Sequence, residues 1–157
     1  MIFRVDYKKT VCMEKAFEFL KKNKDVAFAT VEDNKPKIRV FQIMKQEDHI
    51  LYFATTSHKE VYQQLKKNPN VEILAMSGNI SVRIRGKVIF DVPNDIAKDI
   101  YSHNAVLPRL YKSYQDLVYF RLPIDLLDYF DLSFTPPLFK HFENNSLLTN
   151  NGENNNV

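Results

Sequence analysis

Five consecutive polar residues stand between a strand-like run and a helix-like run, and their types suit the binding of an anion. They are Thr55, Thr56, Ser57, His58 and Lys59. Backbone N–H groups at a helix start already form a phosphate site, and three hydroxyl groups would add donors. Ser57 is predicted to cap the helix, because Glu60 follows three residues later in the pattern of a capping box.

Lys59 breaks a local rule of helix formation. In a helix that starts at Ser57 it occupies the first turn, where the helix dipole favours anions and disfavours cations. A bound phosphate would remove this conflict, whereas the other interpretation is that Lys59 points into water at little cost. His58 lies in the same turn and is a candidate for contact with a ligand or substrate, although a single histidine at a helix start is usually exposed polar surface.

Two arginines in strand-like segments are further candidates for anion binding. Arg39 shares a face with Phe41 in a largely apolar run, so its guanidinium needs a partner or a route to water. Arg83 belongs to a run in which basic residues alternate with valine and isoleucine. That alternation indicates one apolar and one basic face, and a solvated outer face explains it as well as a ligand does.

The composition argues against several other classes of site. The chain has 157 residues, which suits one domain, and its net charge of +3 does not by itself indicate nucleic acid binding. Three glycines are too few for a P-loop or a Rossmann fingerprint. The single cysteine, Cys12, and the scattered histidines give no metal-ligand spacing, so no metal is assigned. Without a membrane-spanning run or a signal peptide, the expected location is the cytoplasm.

The elements that must position these residues are mainly strands. Hydrophobic periodicity and turn residues predict their bounds. The predicted elements are a helix over 13–24, strands over 25–33, 35–45 and 49–56, a helix over 57–68, strands over 71–76 and 80–92, a helix over 94–103 capped by Asn94, and strands over 116–124 and 126–134. Short connections predict antiparallel hairpins, and many strands with few helices favour a β-barrel with peripheral helices. The Asn-rich segment 144–157 is predicted to be a disordered tail.

Three segments in this order resemble a known family. VAFATVEDNKPKIRVF, LYFATTSHKEVYQQLKKNPNV and ISVRIRGKVIF look like the FMN-binding split-barrel family related to pyridoxamine 5′-phosphate oxidase, over about residues 13–133. The resemblance implies a mostly β (α+β) domain over residues 1–143, a six-stranded antiparallel split β-barrel with peripheral helices. It also implies FMN as cofactor and a homodimer with two flavins at its interface.

The resemblance assigns roles to individual residues. Arg39 would contact the FMN phosphate, the backbone of Val40 and Phe41 would run along the isoalloxazine, and Lys59 would bind the phosphate. The cofactor-binding residues implied in this way are Arg39, Val40, Phe41, Thr55, Thr56, Ser57, His58, Lys59 and Arg83.

Some residues depart from the oxidase pattern. His58 replaces a common arginine, and Ser81 stands where the oxidase has a glutamine near the flavin. The segment TPPLFKHFENN has no counterpart of the oxidase's C-terminal contacts, so pyridoxamine phosphate is not the expected substrate. The short relatives, among them nitroimidazole-resistance reductases and general-stress flavoproteins, look more similar.

Three hypotheses about function follow. The first is an FMN-dependent oxidoreductase that passes electrons to a small nitro- or quinone-like acceptor, with no catalytic residue assigned beyond the candidate His58. The second is a flavin- or haem-binding sensor or carrier without turnover. The third is a nucleic-acid-binding barrel, but the low net charge and the dispersed aromatic residues count against it. We therefore expect neither a nucleic acid nor a membrane partner.

Overall fold

The structure is a computed structural model that describes residues 7–143. This part of the chain holds nine strands, four α-helices and one short 3-10 turn. In chain order they are α1 (Tyr7–Lys22), β1 (Asp25–Glu32), β2 (Lys35–Gln42), β3 (Lys45–Glu47), β4 (Ile50–Thr55), α2 (Glu60–Lys67), β5 (Asn70–Ser77), β6 (Ile80–Lys87), α3 (Asn94–His103), α4 (Leu107–Leu110), the 3-10 turn (Tyr114–Asp116), β7 (Val118–Pro123), β8 (Leu126–Asp131) and β9 (Leu138–Glu143). The tail predicted over 144–157 lies outside the described residues.

The strands form two antiparallel sheets. The larger sheet has the order β2-β1-β5-β6-β8-β9, and the smaller has the order β3-β4-β7. An isolated bridge between Ile89 and Arg121 connects the chain after β6 to β7. The larger sheet is not closed, because β2 and β9 form its two edges. The predicted mostly β split barrel with peripheral helices is confirmed, as are the β1–β2 and β5–β6 hairpins.

The strands predicted over 35–45, 80–92 and 126–134 end earlier in the structure, at Gln42, Lys87 and Asp131, and two observed strands, β3 and β9, were not predicted. The strand predicted over 35–45 ends at Gln42, because the chain then crosses between the sheets. The Ile43 N–H donates to the Lys24 carbonyl, and the Met44 N–H donates to the Tyr52 carbonyl on β4. Strand β9 was not predicted, since its residues form a strand only by pairing with β8 along the sheet edge.

Four phenylalanine rings fill the space between the two sheets. Phe28 on β1, Phe41 on β2, Phe53 on β4 and Phe120 on β7 have ring centroids 4.8–6.1 Å apart. Most of these pairs have the tilted or edge-to-face geometry that aromatic rings prefer. The core therefore joins the two sheets and fixes the position of β4, from which the candidate site begins.

The helices lie around this core. α1 buries the predicted apolar face, including Met13, Ala16 and Leu20. α3 has the predicted bounds, but Asn94 is its first helical residue and not its cap. The Ala97 N–H donates to the Pro93 carbonyl at 3.0 Å, so helical hydrogen bonding begins one residue earlier than predicted. No helix that the structure describes is both long and apolar enough to cross a membrane.

The outer face of the larger sheet carries exposed apolar side chains. We call Ile38 and Val40 on β2 and Leu74 and Met76 on β5 the apolar outer patch; their side chains are 44–73% exposed. Val40 and Leu74 both lie opposite Ala27 of β1, so they belong to one row across three strands. The outer face of an antiparallel sheet is commonly polar, and this one is apolar at its β2 end.

Candidate functional site

The predicted anion-binding residues form the turn between β4 and α2. Thr55 and Thr56 are buried, whereas residues 57–59 are exposed. The Lys59 N–H donates to the Thr56 carbonyl at 3.2 Å and closes the turn. The first N–H groups of a helix have no intrahelical acceptor. The start of α2 therefore presents backbone donors close to the exposed side chains of this turn.

The predicted capping box is wrong. α2 begins at Glu60, its N-cap is Lys59, and no side chain between residues 7 and 143 caps it. Ser57 lies two residues before the N-cap because the chain makes a turn before it enters the helix. Lys59 consequently stands just before the first turn and not within it. It still carries its positive charge next to the positive end of the helix dipole.

The two buried threonines differ in their hydrogen bonds. Thr56 Oγ1 lies 3.3 Å from His58 Nε2, so this hydroxyl is tied to the turn. Thr55 Oγ1 is buried and has no hydrogen-bond partner among the described residues. A buried hydroxyl without a partner costs free energy. Thr55 is thus a polar group for which a ligand atom would supply the missing bond.

Arg39 is held by three acceptors on two elements, β1 and α2. Its Nη1 donates to Thr30 Oγ1 at 2.7 Å and to the Phe28 carbonyl at 3.3 Å, both on β1. Its Nη2 donates to Gln64 Oε1 on α2 at 2.6 Å. The guanidinium therefore links the edge of the larger sheet to the helix that begins at the turn.

Every one of these acceptors is neutral, although the arginine is half-buried. Arg39 has no carboxylate within ion-pair distance among the described residues. Burial lowers the pKa of the Arg39 guanidinium, while Glu60 and Glu32 raise it from a greater distance. Because an arginine remains charged, this cation lacks a directly bound counterion.

The two residues that follow Arg39 on β2 point to opposite sides of the sheet. Phe41 joins the phenylalanine core, and its ring lies 4.8 Å from that of Phe28. Val40 is 71% exposed and belongs to the apolar outer patch. The Arg39–Phe41 face is the one that the sequence predicted. A cofactor contact by the backbone of Val40 and Phe41 remains a prediction.

Arg83 lies away from the other candidates, on the outer face of the larger sheet. It occupies the same row as Val40, beyond Ala27 and Leu74. Its Nη2 lies 2.6 Å from Asp128 Oδ2, and its Nε lies 3.4 Å from Glu72 Oε1. The hydrogen bond to Asp128 raises the pKa of the Arg83 guanidinium. Its predicted contact with a cofactor is not tested by this arrangement.

The fold thus links Arg39 to α2, the helix that follows the turn at 55–59, and it leaves Arg83 on the opposite face of the larger sheet. Two further residues of this site were not found in the sequence, Thr30 and Gln64. Gln64 is 2% exposed and shares the buried face of α2 with Val61 and Leu65. A polar residue at that spacing was the signal that could have revealed it.

Comparison with known proteins places the chain in a family. The family model described as pyridoxamine 5′-phosphate oxidase matches residues 12–104, more than half of the chain. No curated protein matches the chain in sequence.

Many solved structures have a similar fold. One is a Clostridium acetobutylicum protein related to general stress protein 26 of Bacillus subtilis, with 14% identity, 88% of this chain and 98% of that chain covered, and a TM-score of 0.72. Another is a pyridoxamine 5′-phosphate oxidase-related, FMN binding protein from Nostoc punctiforme, with 13% identity, 90% and 91% covered, and a TM-score of 0.67. A third is a heme binding protein from Mycobacterium smegmatis, with 12% identity, 87% and 59% covered, and a TM-score of 0.70. Given the match of the family model, this chain belongs to the pyridoxamine 5′-phosphate oxidase family.

Proposed function

We propose that this protein binds FMN and holds its phosphate between Arg39 and the turn at residues 55–59. The observation that carries the proposal is the half-buried Arg39 guanidinium, which has only neutral acceptors among the described residues. An anion would supply the missing negative charge. The FMN binding protein from Nostoc punctiforme, which has a similar fold, supports this choice of ligand.

The side chains around the turn fit the phosphate group chemically. Phosphate offers strong acceptor oxygens and carries a negative charge. Lys59 would supply charge, Ser57 and Thr55 would supply hydroxyl donors, and the start of α2 would supply backbone N–H groups. Thr55 Oγ1 is buried without a partner among the described residues and would gain one. His58 remains a candidate for contact with the ligand or a substrate.

We further propose that the protein is an oxidoreductase for a small acceptor. When bound, FMN would supply two-electron chemistry. One hydride from a reduced nicotinamide and one proton from solvent together convert a quinone to a hydroquinone, or a nitro compound to a nitroso compound and water. The protein's part is to bind, orient and shield the cofactor. The described residues of the proposed site, Arg39 and 55–59, are suited to binding an anion and form no acid–base pair among themselves, which is consistent with the flavin carrying the chemistry.

The visible spectrum of the purified protein tests the binding proposal. A yellow protein that releases FMN on denaturation, or a colourless one that binds added FMN more tightly than riboflavin, is the expected result. A protein that acquires no flavin spectrum at any FMN concentration would refute the proposal. Anaerobic bleaching by NADH or NADPH, followed by reoxidation with a quinone or nitro compound, tests turnover separately.

The alternative is a sensor or carrier that binds flavin or haem without turnover. The similar fold of the heme binding protein from Mycobacterium smegmatis favours this second candidate. A Soret band on titration with haemin, with no flavin spectrum on titration with FMN, would support a haem protein. Flavin binding without reduction by either nicotinamide would support a flavin carrier.

We also propose that the protein is a homodimer that buries the apolar outer patch. We propose that a second copy of this chain covers the patch, because the same sheet face carries a negative charge on Glu72 and a positive charge on Arg83 beside it. In a twofold dimer the same patch of each copy would face the other, and the interface would be isologous. Arg83 lies on this face, so a second copy would be needed to bring a cofactor to it. Light scattering should give twice the chain mass, and Leu74→Glu should give the mass of one chain.

A further inference from the structure

Gln64 stands at the centre of a hydrogen-bond network that links β1, β2 and α2. Its Oε1 accepts from Arg39 Nη2 at 2.6 Å and from Thr30 Oγ1 at 2.6 Å. Its Nε2 donates to Glu32 Oε2 at 2.7 Å. Gln64 and Thr30 are 2% and 1% exposed. Nothing in the proposed function assigns a role to these two residues.

The partners fix which way the Gln64 amide points. A carboxylate such as Glu32 can only accept a hydrogen bond, and a guanidinium can only donate one. The amide nitrogen must therefore face Glu32, and the amide oxygen must face Arg39. Gln64 therefore lies between the Glu32 carboxylate and the Arg39 guanidinium. At this position a glutamate, which has the same length, would give Arg39 a counterion, whereas glutamine gives it a neutral oxygen.

The remaining donors of Arg39 are available for a ligand. A guanidinium has five N–H donors, and the described hydrogen bonds use three of them. The three bonds reach acceptors on β1 and α2, so they hold the guanidinium plane in place. An oriented cation with unused donors and no bound carboxylate is the arrangement that recognises phosphate oxygens.

We infer that Gln64 is a positioning residue that orients Arg39 and keeps it free of a carboxylate, so that the site selects flavins that carry a phosphate. This inference rests on the proposed function. Thr30 has a supporting part, since its hydroxyl accepts from Arg39 and donates to Gln64. The ligand class is a phosphate monoester on a flavin, as opposed to the unphosphorylated flavin.

Replacing Gln64 with glutamate gives the sharpest test, because the two side chains have nearly the same shape. The new carboxylate would pair with Arg39 and neutralise it, and it would also repel Glu32. A purely structural role for Gln64 predicts little change in flavin binding once the variant has folded, since Arg39 keeps an acceptor of the same length. The positioning role predicts a selective loss of affinity for the phosphate.

The experiment measures dissociation constants for FMN and for riboflavin, together with the melting temperature of the apo protein. Gln64→Glu should weaken FMN about 10- to 100-fold, the effect of losing a hydrogen bond to a charged group, and should leave riboflavin within about twofold. Gln63→Glu is the matched control, because Gln63 is exposed on the same helix and the change in charge is identical. It should change FMN affinity by less than about threefold.

Thr30→Val provides a second variant in case Gln64→Glu does not fold. This change keeps the shape and the net charge and removes the hydroxyl that bonds both Arg39 and Gln64. It should weaken FMN several-fold and leave riboflavin unchanged. Because the change is neutral, long-range electrostatics cannot account for that result.

The possible failures are distinguishable. If the wild-type protein binds neither FMN nor riboflavin, the proposed function fails and the inference fails with it. If the wild-type protein prefers FMN but Gln64→Glu and Thr30→Val keep the same preference, only the inference fails. An equal loss of FMN and riboflavin in both variants would show that these residues do not act on the phosphate, and it would also overturn the inference.

Discussion

Replacing Lys59 with methionine should affect the apo protein and the FMN-loaded protein in opposite directions. Lys59 is the exposed N-cap of α2, and its side chain has no hydrogen bond or ion pair among the described residues. Its replacement therefore breaks no hydrogen bond or ion pair among the described residues. It does remove a cation from the positive end of the helix dipole. The apo protein should be unchanged or more stable by roughly 0.3 to 1 kcal/mol at low salt.

The loaded protein should lose an interaction between the ammonium and the phosphate. A hydrogen bond to a charged group contributes roughly 1.5 to 3 kcal/mol, which corresponds to a loss of about 10- to 150-fold in FMN affinity. Riboflavin lacks the phosphate, so both proteins should bind it almost equally. Quenching of flavin fluorescence on titration measures the two affinities, and urea unfolding of the apo protein measures its stability.

Lys67→Met is the matched control for this experiment. Lys67 is exposed in the last turn of the same helix, where the dipole favours a cation. The change in charge is the same, but the apo protein should lose roughly 0.3 to 1 kcal/mol and FMN affinity should not change. If Lys59→Met leaves FMN affinity untouched, Lys59 is solvated surface and the anion binds elsewhere.

Three further predictions concern the scaffold. Gly86→Ala should destabilise the fold by roughly 1 to 3 kcal/mol in urea unfolding. The reason is that the added Cβ would lie 2.5 Å from the Pro123 carbonyl oxygen and 2.8 Å from Leu122 Cδ1. Gly78→Ala should cost less, because its Cβ would meet no atom of the described residues within 4 Å, although the φ of Gly78 is +58°. The hydrogen bond to Asp128, followed by that to Glu143, raises the pKa of the His141 imidazole. The stability that His141 contributes should therefore be greatest below the ordinary histidine pKa of about 6.5 and should be lost as the pH rises through the raised value. The difference in unfolding free energy between wild type and His141→Gln should accordingly shrink on going to alkaline pH, and a constant difference would contradict this reasoning. A chain that ends at Asn144 should keep its FMN affinity and melting temperature, since the removed residues are Asn-rich with few apolar side chains; a large loss of either would show that they pack on the domain.

The class of fold and most of the elements could be predicted from the sequence alone, because their signals are local. Alternating apolar residues around Ile73 and Ile84, with Gly78 in the turn between them, predict the β5–β6 hairpin. The order of three segments also indicated the family, which the family model confirms over residues 12–104. The polar run from Thr55 to Lys59 could be found because it interrupts two periodic segments. Arg39 could be found because it is a cation among apolar residues.

Which of the candidate residues lie close together could be seen only in the folded protein. Arg39 and Arg83 both lie on strands next to apolar residues, yet one faces α2 and the other faces Asp128 across the outer surface of the sheet. Which face each one takes depends on how the strands pair and on which face the core covers, and neither property is local. For the same reason, neither β9 nor the role of Gln64 could be predicted from the sequence. A strand at a sheet edge needs its neighbour, and a buried glutamine is distinguished from a surface one only by the arginine, threonine and glutamate that surround it.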